Sequence, residues 1–141
     1  MRFAFALALC ASPAAAWEFT PGLPCLLTHE EPGLEIVLTH DPTQPLYTIT
    51  LTQPDPWPQS DVFSLRFEGA AGLTISTTRH QLSNGQTALT VTDSGFGNVL
   101  AGLSFNRVAV AMVGDREARF ALDGAAEPVA AFQNCAADPS V

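Results

Sequence analysis

The chain has 141 residues, enough for one ordinary domain, and its 14 acidic against 6 basic side chains give a net charge of −8. An acidic surface repels the phosphate backbone of nucleic acids and lacks the basic patch that attracts anionic lipid headgroups. We therefore expect no nucleic-acid binding and no attachment to an anionic membrane surface.

Residues 1–16 have the three parts of a secretory signal peptide. Arg2 supplies the positive start, an apolar run continues to Cys10, and three alanines provide the small residues at the cleavage site. The apolar run is much shorter than the roughly 20 residues of a membrane-spanning helix. We predict cleavage before Trp17, a periplasmic or secreted location and a single mature domain over residues 17–141. The alternatives are a buried N-terminal helix and a lipid anchor at Cys10.

Cleavage leaves two cysteines, Cys25 and Cys135. An exported chain with two cysteines predicts one disulfide bond. The bond would close a loop of about 110 residues, for which the chain-entropy model gives roughly 4–5 kcal/mol of stabilisation. We interpret the pair as structural, because a redox pair prefers the CxxC spacing and a metal site needs more ligands than two distant thiols.

Alternation of apolar and polar side chains predicts about eight short strands. The clearest is Tyr47–Thr52, in which large apolar residues alternate with threonine. Pro32-Gly33 and Asn84-Gly85 are typical of hairpin turns. The predicted strands, in chain order, cover about 25–30, 34–40, 47–52, 63–68, 72–82, 86–93, 107–113 and 117–122. The predicted fold class is all-β, an antiparallel β-sandwich or barrel.

Two segments depart from this alternation. Gly97–Leu103 predicts one or two helical turns. Residues 124–135 are rich in alanine, with Pro128 in a suitable first turn, and predict a short C-terminal helix. That helix would bring Cys135 to Cys25.

The three histidines are candidates for metal ligands. A two-residue turn in the first hairpin places His29 opposite Ile36. His40 then falls opposite Cys25, so the two imidazoles lie more than about 10 Å apart along the strands. One hairpin therefore cannot supply a two-histidine metal site, and we expect His29, His40 and His80 to be surface or edge residues. No metal and no other cofactor is predicted.

The same register brings acidic side chains together. Glu30 faces Glu35, beside Glu31, and like charges in such positions cost free energy unless they are solvated or bridged. A bound cation is therefore an alternative, although no calcium-binding loop accompanies these residues. We expect the three carboxylates to be exposed.

The segment Asp93–Gly97 contains serine and glycine but matches neither a nucleophile elbow nor a phosphate-binding loop. Asp93 and Ser94 fit a turn and a helix cap instead. We therefore predict no catalytic residue. An enzyme would require His80, a carboxylate and Ser94 to converge within hydrogen-bond distance.

The loop Gln53–Ser60 carries three prolines around Trp57, which stiffen it toward an extended form. A tryptophan on a rigid loop loses little entropy on binding, so Trp57 is the candidate interface anchor. The alternative is that Trp57 folds back and covers the open edge of the sandwich.

Two resemblances accompany these patterns. The run Phe105–Cys135, which ends in FALDGAAEPVAAFQNC, is similar to the closing segment of invasion-associated-locus-B-like proteins. The whole chain, with WEFTPGLPC and DSGFGNVLAGLSFN, resembles a group of small periplasmic proteins of alphaproteobacteria, some of which carry the label of a DNA excision-nuclease (excinuclease) component. The absence of a phosphate-binding loop, the acidic charge and the signal peptide contradict that label. Neither group supplies a functional residue.

Three hypotheses of function remain at this point. The leading one is an exported, non-enzymatic domain that binds a protein or envelope component through Trp57. The second is a carrier that holds a small apolar ligand in the cavity of a closed barrel. The third is an enzyme.

Overall fold

The computed structural model describes residues 16–135, so all but the last residue of the predicted signal peptide lies outside the described residues. Within this range the chain forms ten strands and two helices. They are β1 (Glu18–Thr20), β2 (Cys25–Glu31), β3 (Leu34–Asp41), β4 (Leu46–Thr52), β5 (Phe63–Gly69), β6 (Leu73–Thr77), β7 (Gln81–Ser83), β8 (Ala88–Asp93), α1 (Gly97–Phe105), β9 (Asn106–Val113), β10 (Arg116–Ala121) and α2 (Ala126–Asn134).

The strands form two antiparallel sheets. One has six strands in the order β1-β2-β3-β4-β8-β7, and the other has four in the order β10-β9-β5-β6. Alternate side chains of both sheets are buried and form one hydrophobic core, which includes Leu27, Ile36, Leu38 and Leu51 from the first sheet and Leu65, Phe67, Ala109 and Ala111 from the second. The predicted all-β sandwich is confirmed. Among residues 16–135 the two sheets are separate and have free edges, so these strands form a sandwich and not the closed barrel offered as the alternative.

The hairpin of β2 and β3 has the predicted register. Cys25 pairs with His40, and Glu30 pairs with Glu35. Gly33 has a φ of +82°, a conformation that glycine adopts without the steric cost of a side chain. A two-residue turn with this geometry fixes which side chains of both strands face the core.

The predicted strand 72–82 is in fact two strands. β6 pairs with β5 in the four-stranded sheet, whereas β7 pairs with β8 in the six-stranded sheet. Residues 78–80 connect the two sheets. The Asn84-Gly85 turn is confirmed, with φ values of 56° and 69°, but it joins only the short β7 to β8. Residues 78–80 are all polar, and Leu82 is out of phase with Leu73 and Ile75, so the alternation breaks where the chain changes sheet.

The C-terminal helix is also confirmed, as α2. Its buried residues are Val129 and Phe132. A disulfide bond joins Cys25 at the start of β2 to Cys135 after α2, as predicted. No helix among residues 16–135 has the length and apolar character required to cross a membrane.

Trp57 lies in the core and has no exposed surface. Its indole N–H donates a hydrogen bond to the Leu51 carbonyl at 3.1 Å, and its backbone N–H donates to the Gln86 carbonyl at 2.8 Å. A fully buried side chain cannot serve as an interface anchor, so the prediction for Trp57 is wrong. Trp57 does fold back on the sandwich, as in the alternative, but its side chain lies in the core rather than over an open edge.

Candidate functional site

A cleft of about 490 Å³ opens between the two sheets. It lies between β6, which is an edge strand of the four-stranded sheet, and β8 of the six-stranded sheet. Its walls come from β4, β5, β6 and β8, and the loop that leads into α1 completes the lining. Both sheets therefore contribute to one concave surface, which we name the intersheet cleft.

Two cross-strand pairs form the apolar walls of the intersheet cleft. Ile49 pairs with Val91 in one sheet, and Leu65 pairs with Ile75 in the other. Ile49 and Leu65 are buried, whereas Val91 and Ile75 remain partly exposed. The cleft thus continues the hydrophobic core outward, and apolar surface on its two walls faces solvent.

The start of α1 forms part of the lining of the cleft. Phe96 precedes the helix, is 5 % exposed, and stacks on Tyr47 with ring centroids 5.4 Å apart. The helix itself is confirmed at the predicted position. Its N-cap residue is Phe96 and no side chain caps it, so the prediction of Asp93 and Ser94 as cap residues is wrong.

Polar side chains surround the mouth of the cleft: Arg79, Asp93 and Asn98 are exposed there. Arg79 lies in the connection between the sheets, and its backbone N–H donates to the Thr77 hydroxyl at 3.1 Å. Among residues 16–135 its guanidinium forms no salt bridge. One Asp93 oxygen accepts a hydrogen bond from the backbone N–H of Ser94 at 2.6 Å. The mouth therefore presents a cationic group that is free to meet an anion.

The size and lining of the intersheet cleft match those of sites for small ligands. Such sites typically enclose about 300–1,000 Å³ and combine apolar walls with a few polar groups that orient the ligand. An apolar body would lie between the Ile49–Val91 and Leu65–Ile75 pairs. A negatively charged group would lie at the mouth, within the field of Arg79.

The histidines do not lie where the sequence predicts. His29 and His40 are 3 % and 2 % exposed, so the expectation of surface or edge histidines is wrong for both. His29 stacks on Trp17, with ring centroids 4.5 Å apart, and its Nε2 lies 2.7 Å from a carboxylate oxygen of Glu31. A histidine can lie on the core face of a strand when an aromatic ring covers it and a carboxylate partners its nitrogen.

The three glutamates of this hairpin also differ from one another. Glu30 and Glu35 are exposed, as predicted. Glu31 is partly buried, and one of its oxygens also accepts a hydrogen bond from the backbone N–H of Ala121 at 2.7 Å. Its carboxylate therefore links the two sheets. The group of potential metal ligands found among residues 16–135 does not include these glutamates.

The imidazole of His40 lies close to the sulfur atoms of both cysteines. Its Nδ1 lies 3.8 Å from the sulfur of Cys135, and its ring stacks on Tyr47 with centroids 4.0 Å apart. Burial lowers the pKa of His40 below its ordinary value, and the negative charge of Asp41 offsets this only in part. His40 is therefore neutral at physiological pH.

Ser94 and His80 form separate contacts. His80 Nε2 lies 2.9 Å from the Ser60 carbonyl, and the Ser94 hydroxyl donates to Asp93 at 3.4 Å. No hydrogen bond within residues 16–135 joins His80 to Ser94. The convergence that nucleophilic catalysis by Ser94 would require is thus not formed in this structure.

Comparisons with protein-family models, with curated proteins and with solved structures found no match to this chain. The two resemblances drawn from the sequence therefore stay predictions.

Proposed function

We propose that this chain is a non-enzymatic binding domain that acts outside the cytoplasm and holds a small, largely apolar ligand in the intersheet cleft. The observation that carries the proposal is the pair of partly exposed apolar side chains, Val91 and Ile75, on facing walls of a cleft of about 490 Å³. Apolar surface in a concave site gains free energy when a ligand removes it from water, at roughly 25 cal/mol per Å².

The positive charge of Arg79 at the mouth of the cleft limits which ligands the cleft would bind. Arg79 is exposed there and has no acidic partner among the described residues 16–135. We infer an amphipathic ligand with an apolar body and one anionic group, because an Arg guanidinium forms strong, directed hydrogen bonds with carboxylates and phosphates. The acidic charge of the whole chain, −8, would oppose ligands that carry several negative charges.

If the chain is exported, as we propose, its disulfide bond would be stable and would have a structural role. Disulfides persist in oxidising compartments such as the periplasm. The bond joins the start of β2 to the end of α2, far along the chain from the strands that line the cleft. It would hold the sandwich closed around a site that has to stay open at one edge.

A fluorescent probe with the same chemistry tests the proposal. Anilinonaphthalene sulfonate has apolar rings and one anionic group, and its emission rises in apolar surroundings. We expect saturable binding to the native, oxidised chain. Ile75→Trp should fill the cleft and weaken binding at least about tenfold, a change of 1.4 kcal/mol.

The matched control is Thr74→Trp, on the same strand. Thr74 is exposed, and its side chain points to the opposite face of β6, so this variant adds the same ring without filling the cleft. We expect Thr74→Trp to bind the probe like the wild type. Equal binding by both variants, with unchanged melting temperatures, would contradict the proposed site.

A second pair of variants tests whether Arg79 contacts the anionic group of the probe. Arg79→Gln should weaken probe binding, whereas Arg107→Gln removes an equal charge from another exposed position and should not. Equal effects of the two variants would mean that only net charge matters, and the proposed role of Arg79 would be wrong.

The protein or envelope partner of the leading sequence hypothesis is a different proposal. Since Trp57 is buried, such a partner would have to contact other residues. The intersheet cleft favours the small ligand, because it is concave and combines apolar walls with a few polar side chains.

A further inference from the structure

Cys25, His40 and Cys135 form a compact group of metal-ligating side chains, none of which lines the intersheet cleft. The two sulfur atoms and one imidazole nitrogen all lie within 4.8 Å of one another. The disulfide bond occupies both sulfurs in the oxidised chain. We propose that, once this bond is reduced, the three side chains form a binding site for a thiophilic metal ion, Zn²⁺ in the first instance.

The fold brings the three ligands together from separate parts of the chain. Cys25 opens β2, and His40 lies directly opposite it on β3. α2 delivers Cys135 to the same point, because Phe132 anchors the helix in the core. These positions depend on strand pairing and helix packing as well as on the disulfide, so they can survive its reduction.

The distances suit a tetrahedral ion. Zn–S bonds of about 2.3 Å and Zn–N bonds of about 2.1 Å keep the ligand atoms about 3.6–3.8 Å apart. His40 Nδ1 already lies 3.8 Å from the Cys135 sulfur. The main movement required is a separation of the two sulfurs from their bonded distance of about 2 Å, which rotation of two side chains can supply.

The surroundings of His40 prepare it as a ligand. Tyr47 stacks on one face of the ring, and the ring of Phe132 forms a T-shaped contact with centroids 6.3 Å apart, so the orientation of the imidazole is fixed. A neutral imidazole is the form that binds a metal, and burial favours that form. Cys135 is only partly buried, which leaves access for the ion and room for water as a fourth ligand.

The chemistry balances with a dithiol as reductant. The dithiol gives two electrons and two protons to the Cys25–Cys135 bond and becomes a disulfide itself. The two thiols formed then lose their protons to solvent as Zn²⁺ binds both thiolates. The same three side chains thus hold a covalent bond in one redox state and a metal ion in the other.

Co²⁺ provides a direct test, because cobalt bound to thiolate absorbs in the near ultraviolet and cobalt bound only to oxygen and nitrogen does not. We expect the reduced full chain to bind one equivalent of Co²⁺ with this absorption and to lose it when Zn²⁺ is added. The oxidised chain should show none. His40→Gln should lower the affinity by at least the roughly 10–100-fold that loss of a mere outer-shell partner costs.

The control for His40 is His80→Gln, which alters a histidine whose contact is the Ser60 carbonyl rather than a cysteine. It should bind Co²⁺ like the wild type. Equal binding by the wild type and His40→Gln would overturn the proposal, as would the absence of thiolate absorption in the reduced chain.

The fold of the reduced chain is measured in the same samples. Trp17 and Trp57 are both buried, so their emission reports whether the core is intact. If reduction unfolds the chain, Zn²⁺ should restore native emission in the wild type and fail to do so in His40→Gln, since binding then drives folding. A reduced wild type that stays unfolded in excess Zn²⁺ would also overturn the proposal.

Discussion

Gly102 controls how closely α1 approaches the four-stranded sheet. A Cβ atom added to this residue would lie 2.4 Å from two carbon atoms of the Phe67 ring. Phe67 is 2 % exposed and is surrounded by the core, so its ring cannot withdraw without displacing other side chains. In an exposed helix Gly→Ala stabilises a protein by about 1 kcal/mol, but here we expect Gly102→Ala to destabilise it.

The size of the effect follows from two opposing contributions. Overpacking of a well-filled core costs typically about 1–3 kcal/mol, and a contact this short on a buried ring belongs at the upper end. Alanine has a higher helix propensity than glycine, and this difference offsets about 1 kcal/mol of the cost. The expected net loss in the free energy of unfolding for Gly102→Ala is therefore about 2 kcal/mol, a fall in Tm of roughly 6–10 °C for a domain of this size.

Urea unfolding and thermal unfolding measure this loss. The matched control is Gly97→Ala in the same helix, where an added Cβ meets no atom within 4 Å, and we expect no loss there. In a double-mutant cycle, Phe67→Leu should make Gly102→Ala less costly, because the smaller side chain vacates the space. A Gly102→Ala chain as stable as the wild type would refute the packing of α1 on β5 described above.

Two further predictions concern buried side chains. Trp57→Ala should cost about 3–5 kcal/mol in urea unfolding, because it leaves a cavity and removes the indole hydrogen bond to the Leu51 carbonyl; a change within error would contradict the burial of Trp57. Because the pKa of folded His40 lies below its ordinary value near 6.5, the unfolded chain takes up the proton first, so stability should fall as the pH drops from about 7 to 5. The pKa of Asp41 is lowered by a hydrogen bond from the Thr43 hydroxyl, so Asp41 stays ionised over this range, and His40→Gln should flatten the profile of unfolding free energy against pH.

The fold follows closely from local patterns. The two-residue period predicts most of the strands, and a two-residue turn at Gly33 fixes the register of the first hairpin. β1 escaped prediction because three residues are too few to show a period, and its place depends on pairing with β2. Alternation tells which face of a strand is buried, but it does not tell which sheet a strand joins.

The candidate sites were harder to predict, and the histidines show why. The register placed His40 opposite Cys25, and the predicted helix brought Cys135 to the same cysteine, so all three members of the metal-ligating group were implied by the sequence. The sequence alone does not show that an imidazole adds a third ligand to the two thiols, because the histidine lies on a strand whose core face is expected to be apolar. Burial of His40 depends on Tyr47 and Phe132, which come from two different elements, and no local pattern contains that contact.

The intersheet cleft lies beside segment 72–82, which is predicted as one strand but forms two. Residues 78–80 carry the chain from β6 in one sheet to β7 in the other, so these strands cannot pair with each other. Ile75 and Val91 are left on facing walls that no strand covers, and Arg79 lies on the connection itself. A continuous strand over 72–82 would have remained in one sheet and left no connection to place Arg79 at this mouth. The departure from local regularity therefore creates the concave surface in which we propose the ligand site, and local rules fail most often at sites that carry function.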